Sequence, residues 1–195
     1  MPRPPEYDRD TVVAQATAVF WERGYGRTSI SHIVAATGLK PGSLYAAFGS
    51  KKGMFLEVID RYNGEFVDKL RRLRRAEGSP LGRLTKLLDE IVEDTVTGRD
   101  RRGCLTVNSL LELSQHDADI AASLATHNER IRDAFGELIQ DAQNAGEIPS
   151  GRDVGELAAF LMNNIWGMRV LCKSNPSRES LNAIVGGIVA SLRSG

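Results

Sequence analysis

Cysteine is nearly absent from this 195-residue chain: Cys104 and Cys172 are its two thiols. Two such cysteines make no disulfide framework, and without a Cys-x-x-Cys pair no zinc site is expected. A reducing cytoplasm is the compartment that fits. No run of about 18 apolar residues occurs, so no membrane span is expected. The opening MPRPPEYDRD lacks the apolar stretch of a secretory signal and reads as a short flexible arm. Also missing are Gly-x-Ser-x-Gly, His-Glu-x-x-His, the P-loop and a glycine-rich dinucleotide turn. An enzyme would have to use Cys104 with His116 or His127 as base, and their spacing does not favour it. No cofactor is expected.

An excess of charge of one sign is missing too, since 25 Lys+Arg balance 25 Asp+Glu. The distribution is uneven. Residues 1–75 hold 13 basic and 8 acidic side chains, a balance of +5, against 12 and 17, or −5, in 76–195. A basic front and an acidic back suit a protein that meets nucleic acid at one end. With 42% hydrophobic and 26% charged residues the composition is that of a folded globular chain.

Strand-like alternation is scarce, and apolar residues recur at helical spacing almost throughout. The pattern predicts an all-α chain of about nine helices, near 8–23, 30–36, 41–47, 51–75, 80–97, 104–114, 118–145, 153–172 and 178–193. Gly24, Gly38 and Gly146 close helices, Pro80 starts one, and Asp117 and Asp153 are caps. The charged turn at 99–103 leads into the sixth helix. His116, Asp117 and Asp119 read as capping rather than metal ligands, so no metal is expected. His127 with Glu129 reads as part of a solvated face.

Residues 24–55 stand out. Two helices of about two turns flank Thr37-Gly38-Leu39-Lys40, the outline of a helix-turn-helix. Each is too short to be stable alone and needs the longer helices on either side as scaffold. The second begins Lys40-Pro41-Gly42-Ser43, small or cationic residues at an end that points N–H groups outward. Leu44 and Phe48 are expected in the core.

Gly24, Thr28-Ser29-Ile30, Ile33, Gly38, Gly42-Ser43-Leu44-Tyr45, Phe48 and Ser50-Lys51 follow, over about residues 10–60, the spaced pattern of the TetR/AcrR transcription regulators, which this segment resembles. The resemblance implies an N-terminal helix-turn-helix domain, 1–52, with a connecting helix near 51–75. It implies a ligand-sensing and dimerisation domain, 53–195. It implies a regulator, in most cases a repressor, that binds a palindromic operator in double-stranded DNA as a homodimer and is released by a small molecule or by thiol modification. Thr28, Tyr45 and Lys51 would hold phosphate, and Ser29 belongs to the DNA-binding set. Lys40, Pro41, Gly42, Ser43 and Ala46 would face the major groove, Lys40 reaching guanine and Ala46 a thymine methyl. His32 stands where the family favours an acid, which predicts loss of a carboxylate cap.

Beyond residue 60 the resemblance carries architecture alone. Leu157, Leu161, Ile165, Leu181, Ile184, Val185, Ile188 and Val189 form broad apolar faces on the last two helices. These close a monomer core or, as the resemblance implies, a four-helix dimer interface, with Gly186 and Gly187 allowing close approach. Cys104, Val107, Leu110, Leu111, Phe135, Met162, Trp166 and Met168 are pocket candidates, since Trp and Met line adaptable apolar sites. They serve core packing equally well. The segment around Cys104 is similar to a subgroup with cysteine at this helix start; the neighbouring arginines favour thiolate, and burial as an inert thiol is the alternative. A helical adaptor for protein, or a small enzyme without DNA affinity, remains the rival function.

Overall fold

The computed structural model describes residues 7–98 and 101–194, and all regular structure among them is helical. The helices are α1 (Arg9–Arg23), α2 (Ile30–Thr37), α3 (Pro41–Phe48), α4 (Lys51–Arg74), α5 (Pro80–Val96), α6 (Leu105–Leu113), α7 (Ala118–Asn144), α8 (Val154–Leu171) and α9 (Arg178–Arg193), with a 3-10 turn at Cys172–Ser174. Residues 1–6 of the expected arm, and 99 and 100 of the charged turn, lie outside the described residues.

Side chains set the helix starts. Asp8, Ser29, Ser50, Ser79, Asp117, Asp153 and Ser177 each accept a backbone N–H of the first turn; such a cap contributes about 1 kcal/mol. The cap of α2 differs from expectation. His32 replaces the missing carboxylate: its Nδ1 accepts from Ser29 N at 3.2 Å while Ser29 Oγ accepts from His32 N at 3.3 Å. The imidazole completes the capping box that sequence reasoning held to be lost.

α4 is the spine of the molecule. Its first half places Met54, Phe55, Val58 and Ile59 in an apolar cluster with α1, α2 and α3, and its second half places Val67 and Leu70 in a cluster with α5, α7, α8 and α9. The first cluster also takes Leu105 and Leu113 from α6 and Ile120 and Leu124 from α7. Apolar packing therefore does not divide at residue 52; it divides within α4, near Tyr62. No described helix is long and apolar enough to cross a membrane.

One expectation for α7 fails. His127 is buried, with Nε2 3.5 Å from Asp60 Oδ1. Its helix face turns toward α4 rather than water, and desolvation pushes the imidazole below its ordinary value.

Candidate nucleic-acid interface and sensor cavity

α3 is an eight-residue helix held from one side. Leu44 and Phe48 are buried, whereas Lys40, Pro41, Gly42, Ser43, Tyr45 and Ala46 are exposed. Pro41 occupies the first turn, where its missing N–H costs nothing, and the Lys40 side chain makes no capping bond. The outcome is an open surface of small residues around one lysine, with Tyr45 half exposed on the adjoining flank. Ser29 is also exposed, its Oγ 2.7 Å from Ser31 Oγ.

Two expected phosphate ligands have other work. Thr28 is buried, its hydroxyl donating to Gly24 O at 2.6 Å. In this arrangement the Thr28 hydroxyl closes the loop after α1 rather than facing outward. Lys51 is half-buried. Its Nζ donates to Tyr25 O and Thr28 O, both at 3.0 Å, and lies 4.1 Å from the centre of the Tyr25 ring. It ties the loop after α1 to the start of α4. Tyr45 and Lys51 border the same small crevice, so they face one side of the molecule.

Sequence reasoning missed the braces around α3. Arg9 donates to both oxygens of Glu57, at 2.8 and 2.5 Å, and to Ala47 O at 3.2 Å, with its guanidinium 4.5 Å from the centre of the Phe48 ring. It therefore caps the end of α3 from α1. Gly53 is equally constraining: a Cβ there would stand 2.1 Å from Phe48 O. Opposite-charge spacing carried no signal for Arg9 and Glu57, which lie 48 residues apart.

Two contacts join this head to the body. Glu112 of α6 accepts the N–H groups of Tyr25 at 3.0 Å and Gly26 at 2.6 Å. Lys52 donates to Asp119 at 2.5 Å and lies 3.5 Å from Asp117, the cap of α7. The Asp119 bond raises the Lys52 pKa, and the Ile120 N–H lowers that of Asp117.

Deeper in the body, Cys104, Phe135, Met162 and Trp166 converge on a cavity of about 60 Å³, joined by Tyr62 and Arg169. Tyr62 OH donates to Cys104 Sγ at 3.8 Å, and burial followed by the thiol pushes its phenol upward. The Tyr62 ring meets Trp21 edge-on at 5.0 Å, and Arg102 lies 4.0 Å over Trp21. The surroundings of the thiol thus connect to α1. Below the thiol, Thr106 donates to Asn63 Oδ1 at 2.7 Å, and Asn63 Nδ2 donates to Ile59 O, a buried polar link between α6 and α4. Four expected pocket residues lie elsewhere. Val107 is buried away from this cavity, Met168 borders the groove with Leu171 and Ile184, Leu110 packs on the N-terminal cluster, and Leu111, 80% exposed, borders an open pocket of about 590 Å³ with Trp21 and Arg102. They sit on other faces of α6 and α8 than the one that lines this cavity.

The expected interface residues are also redistributed. Leu157, Leu161, Ile165, Leu181, Val185 and Ile188 are buried in the chain's own core, and Val189 packs on its edge. The six buried positions are core in the single chain, whereas Val189, like Ile184, is half-buried. The opposite faces of α8 and α9 are open, with Phe160, Leu171, Gly186 and Gly187 exposed. Ile184 borders a groove there with Asn163, Asn164, Gly167 and Leu171, and a Cβ on Gly186 or Gly187 would meet nothing within 4 Å.

Known proteins share this arrangement. The Escherichia coli K12 HTH-type transcriptional repressor ComR is 33% identical over 185 residues, 94% of this chain and 88% of that protein. A cysteine mutant of the TetR family regulator CifR, solved in complex with 26-bp operator DNA, superposes with a TM-score of 0.84 at 31% identity, over 97% of this chain and 99% of that one. The reduced form of E. coli NemR shares the fold, with a TM-score of 0.85 at 18% identity over 95% and 96% of the two chains. Residues 12–58 match the family model described as bacterial regulatory proteins, tetR family, and residues 80–185 the model for a tetracyclin repressor-like C-terminal domain. The first match contains α2, α3 and the Glu57 end of the brace, and the second the cavity wall from Cys104 to Trp166, and on both counts the chain belongs to the TetR family of regulators.

Proposed function

We propose that this chain is a homodimeric repressor that reads operator DNA with α3 and is released when a small molecule or a thiol reagent occupies the body. The observation that carries the reading is the exposed face Lys40-Pro41-Gly42-Ser43 with Tyr45 and Ala46, anchored from behind by buried Leu44 and Phe48. Pro41 and Gly42 let the backbone approach a groove closely, and Lys40 donates to guanine O6 and N7 or to phosphate. Ser29 and Tyr45 flank the face as phosphate donors. ComR is a repressor by name and CifR was solved on operator DNA, which supports the same role here.

Dimerisation through the outer faces of α8 and α9 matches the groove at Ile184 and Gly167, and a two-fold dimer suits half-sites about 34–36 Å apart. The cavity supplies the switch. At about 60 Å³ it is smaller than the roughly 150 Å³ void that holds a benzene ring. An effector must therefore part α4 from α8, and α4 is the helix on which α3 rests. Ligand binds the opened arrangement better and shifts the population away from the DNA-competent one. Neither His116 nor His127 lines the cavity with Cys104, so the base that a catalytic cysteine needs is not supplied there.

A gel shift of the full chain on the promoter beside its own gene, repeated across a salt series, tests the reading. Specific retardation whose affinity falls with salt, at about −0.9 in log–log slope per phosphate engaged, is expected. Absence of specific retardation, or salt-independent retardation, refutes it.

A further inference from the structure

Arg169 of α8 borders the cavity beside Cys104, and its Nη1 is buried with no hydrogen-bond partner. Its Nη2 lies 3.9 Å from Asp94 Oδ2 on α5, outside hydrogen-bond range. A guanidinium keeps its proton in a protein, so this charge cannot be neutralised by losing it. The side chain as a whole is 20% exposed, but a guanidinium N–H cut off from water and left unpaired is costly, and an acceptor brought to it recovers that cost. The neighbouring polar groups are engaged: Tyr62 donates to Cys104, and Asn63 is bonded to Thr106 and to Ile59 O. The rest of the wall includes Phe66, Ile91, Ile131, Phe135 and Met162.

We propose that the effector is a small monocarboxylate with an aromatic or branched aliphatic body. The carboxylate seats on Arg169, and the body lies among Phe66, Phe135, Met162 and Trp166. The inference rests on the reading of this cavity as the sensor site and names the chemistry that the site selects. A carboxylate is selected over a neutral carbonyl because it brings a charged acceptor to hydrogen-bond distance, which Asp94 at 3.9 Å does not, and because its two oxygens match the planar fork of the guanidinium. The body enlarges the cavity at its adaptable edge, where Met162 is unbranched and Trp166 only half-buried. Because Tyr62 and Phe66 belong to α4, seating the body displaces the helix that carries the reading head.

Binding of benzoate and of isobutyrate to the full chain, followed by calorimetry and by tryptophan fluorescence, is compared with binding of benzamide and isobutyramide. At least one acid is expected to bind about tenfold or more tightly than its own amide, the scale of a charge-assisted hydrogen bond. Arg169→Met is expected to erase that preference without lowering the melting temperature, and Arg169→Lys to retain part of it. Equal binding of acid and amide, survival of the preference in Arg169→Met, or failure of both acids to bind overturns the inference. Met162→Trp keeps Arg169 and fills the cavity. Undiminished acid binding in that variant also overturns the inference, and this arm decides the matter should Arg169→Met not fold. A chain that binds benzoate but retards no operator retains the carboxylate site and loses the repressor reading.

Discussion

Glu112 Oε1 stands 2.6 Å from the backbone nitrogen of Gly26, so α6 of the body grips the loop that feeds α2 and α3. The partner oxygen takes Tyr25 N, and together they satisfy two donors that follow the end of α1. Replacing Glu112 with alanine leaves both without an acceptor. A loss of about 1–3 kcal/mol in denaturant unfolding is expected, together with a weaker effect of effector on operator affinity. Unchanged stability and unchanged release in Glu112→Ala would show that this contact transmits nothing.

Gly53→Ala is expected to abolish specific operator binding. The added Cβ meets the carbonyl of Phe48, which is backbone and cannot rotate away, so α3 must shift on α4. Overpacking of this kind costs about 1–3 kcal/mol. The melting temperature should fall while the helical circular dichroism persists, and a Gly53→Ala protein that retards operator normally would contradict the geometry.

The two lysines that flank α3 are expected to behave differently. Lys40→Ala should weaken operator binding and change base preference while leaving the melting temperature in place, because Lys40 is exposed and caps nothing. Lys51→Ala should lower both affinity and melting temperature, because its amine holds Tyr25 O and Thr28 O. Thermal melts beside the gel shifts separate the two outcomes.

Stability is expected to fall between about pH 6.5 and lower pH through His127. Desolvation lowers its folded-state pKa from the ordinary 6.5, against an upward pull from Asp60 and a downward one from Arg130. The unfolded chain therefore takes up a proton first as pH drops. The stabilisation is intact above the unfolded value and is lost on descending toward the folded one. Melts at pH 7.5 and 5.5 should differ more for the native chain than for His127→Gln; equal differences would remove His127 as the cause.

Alkylation of Cys104 by N-ethylmaleimide is expected to release operator DNA. The adduct cannot fit a cavity of about 60 Å³ and separates the thiol from Tyr62, which abuts Trp21 of α1. Full operator binding after modification of Cys104, verified by mass spectrometry, would dissociate the thiol from regulation.

The helix boundaries were legible because their signals are local. Gly24 and Gly38 sit at helix ends with positive φ, and Asp117 and Asp153 cap as their side-chain chemistry dictates. Leu44 and Phe48 were legible as core through their spacing, and the exposed residues of α3 through what remained. The buried position of Thr28 was not legible because a threonine that bonds four residues back looks the same in sequence as one that faces outward. The faces of α8 were misassigned because apolar residues surround that helix: Leu161 turns inward and Phe160, one residue earlier, turns out. Arg169, Arg9 and Glu112 went unseen since their roles depend on partners far along the chain or on the lack of one.

Lys51 spends its amine on two carbonyls within the head, and Arg9 pins the end of α3. Such a head arrives as a finished die, with little give of its own. The duplex must then do the bending and twisting needed for a fit, at an energy that varies with the stiffness of each base step. Base pairs that the chain never touches, at the centre of the operator, thereby acquire a vote in where it settles.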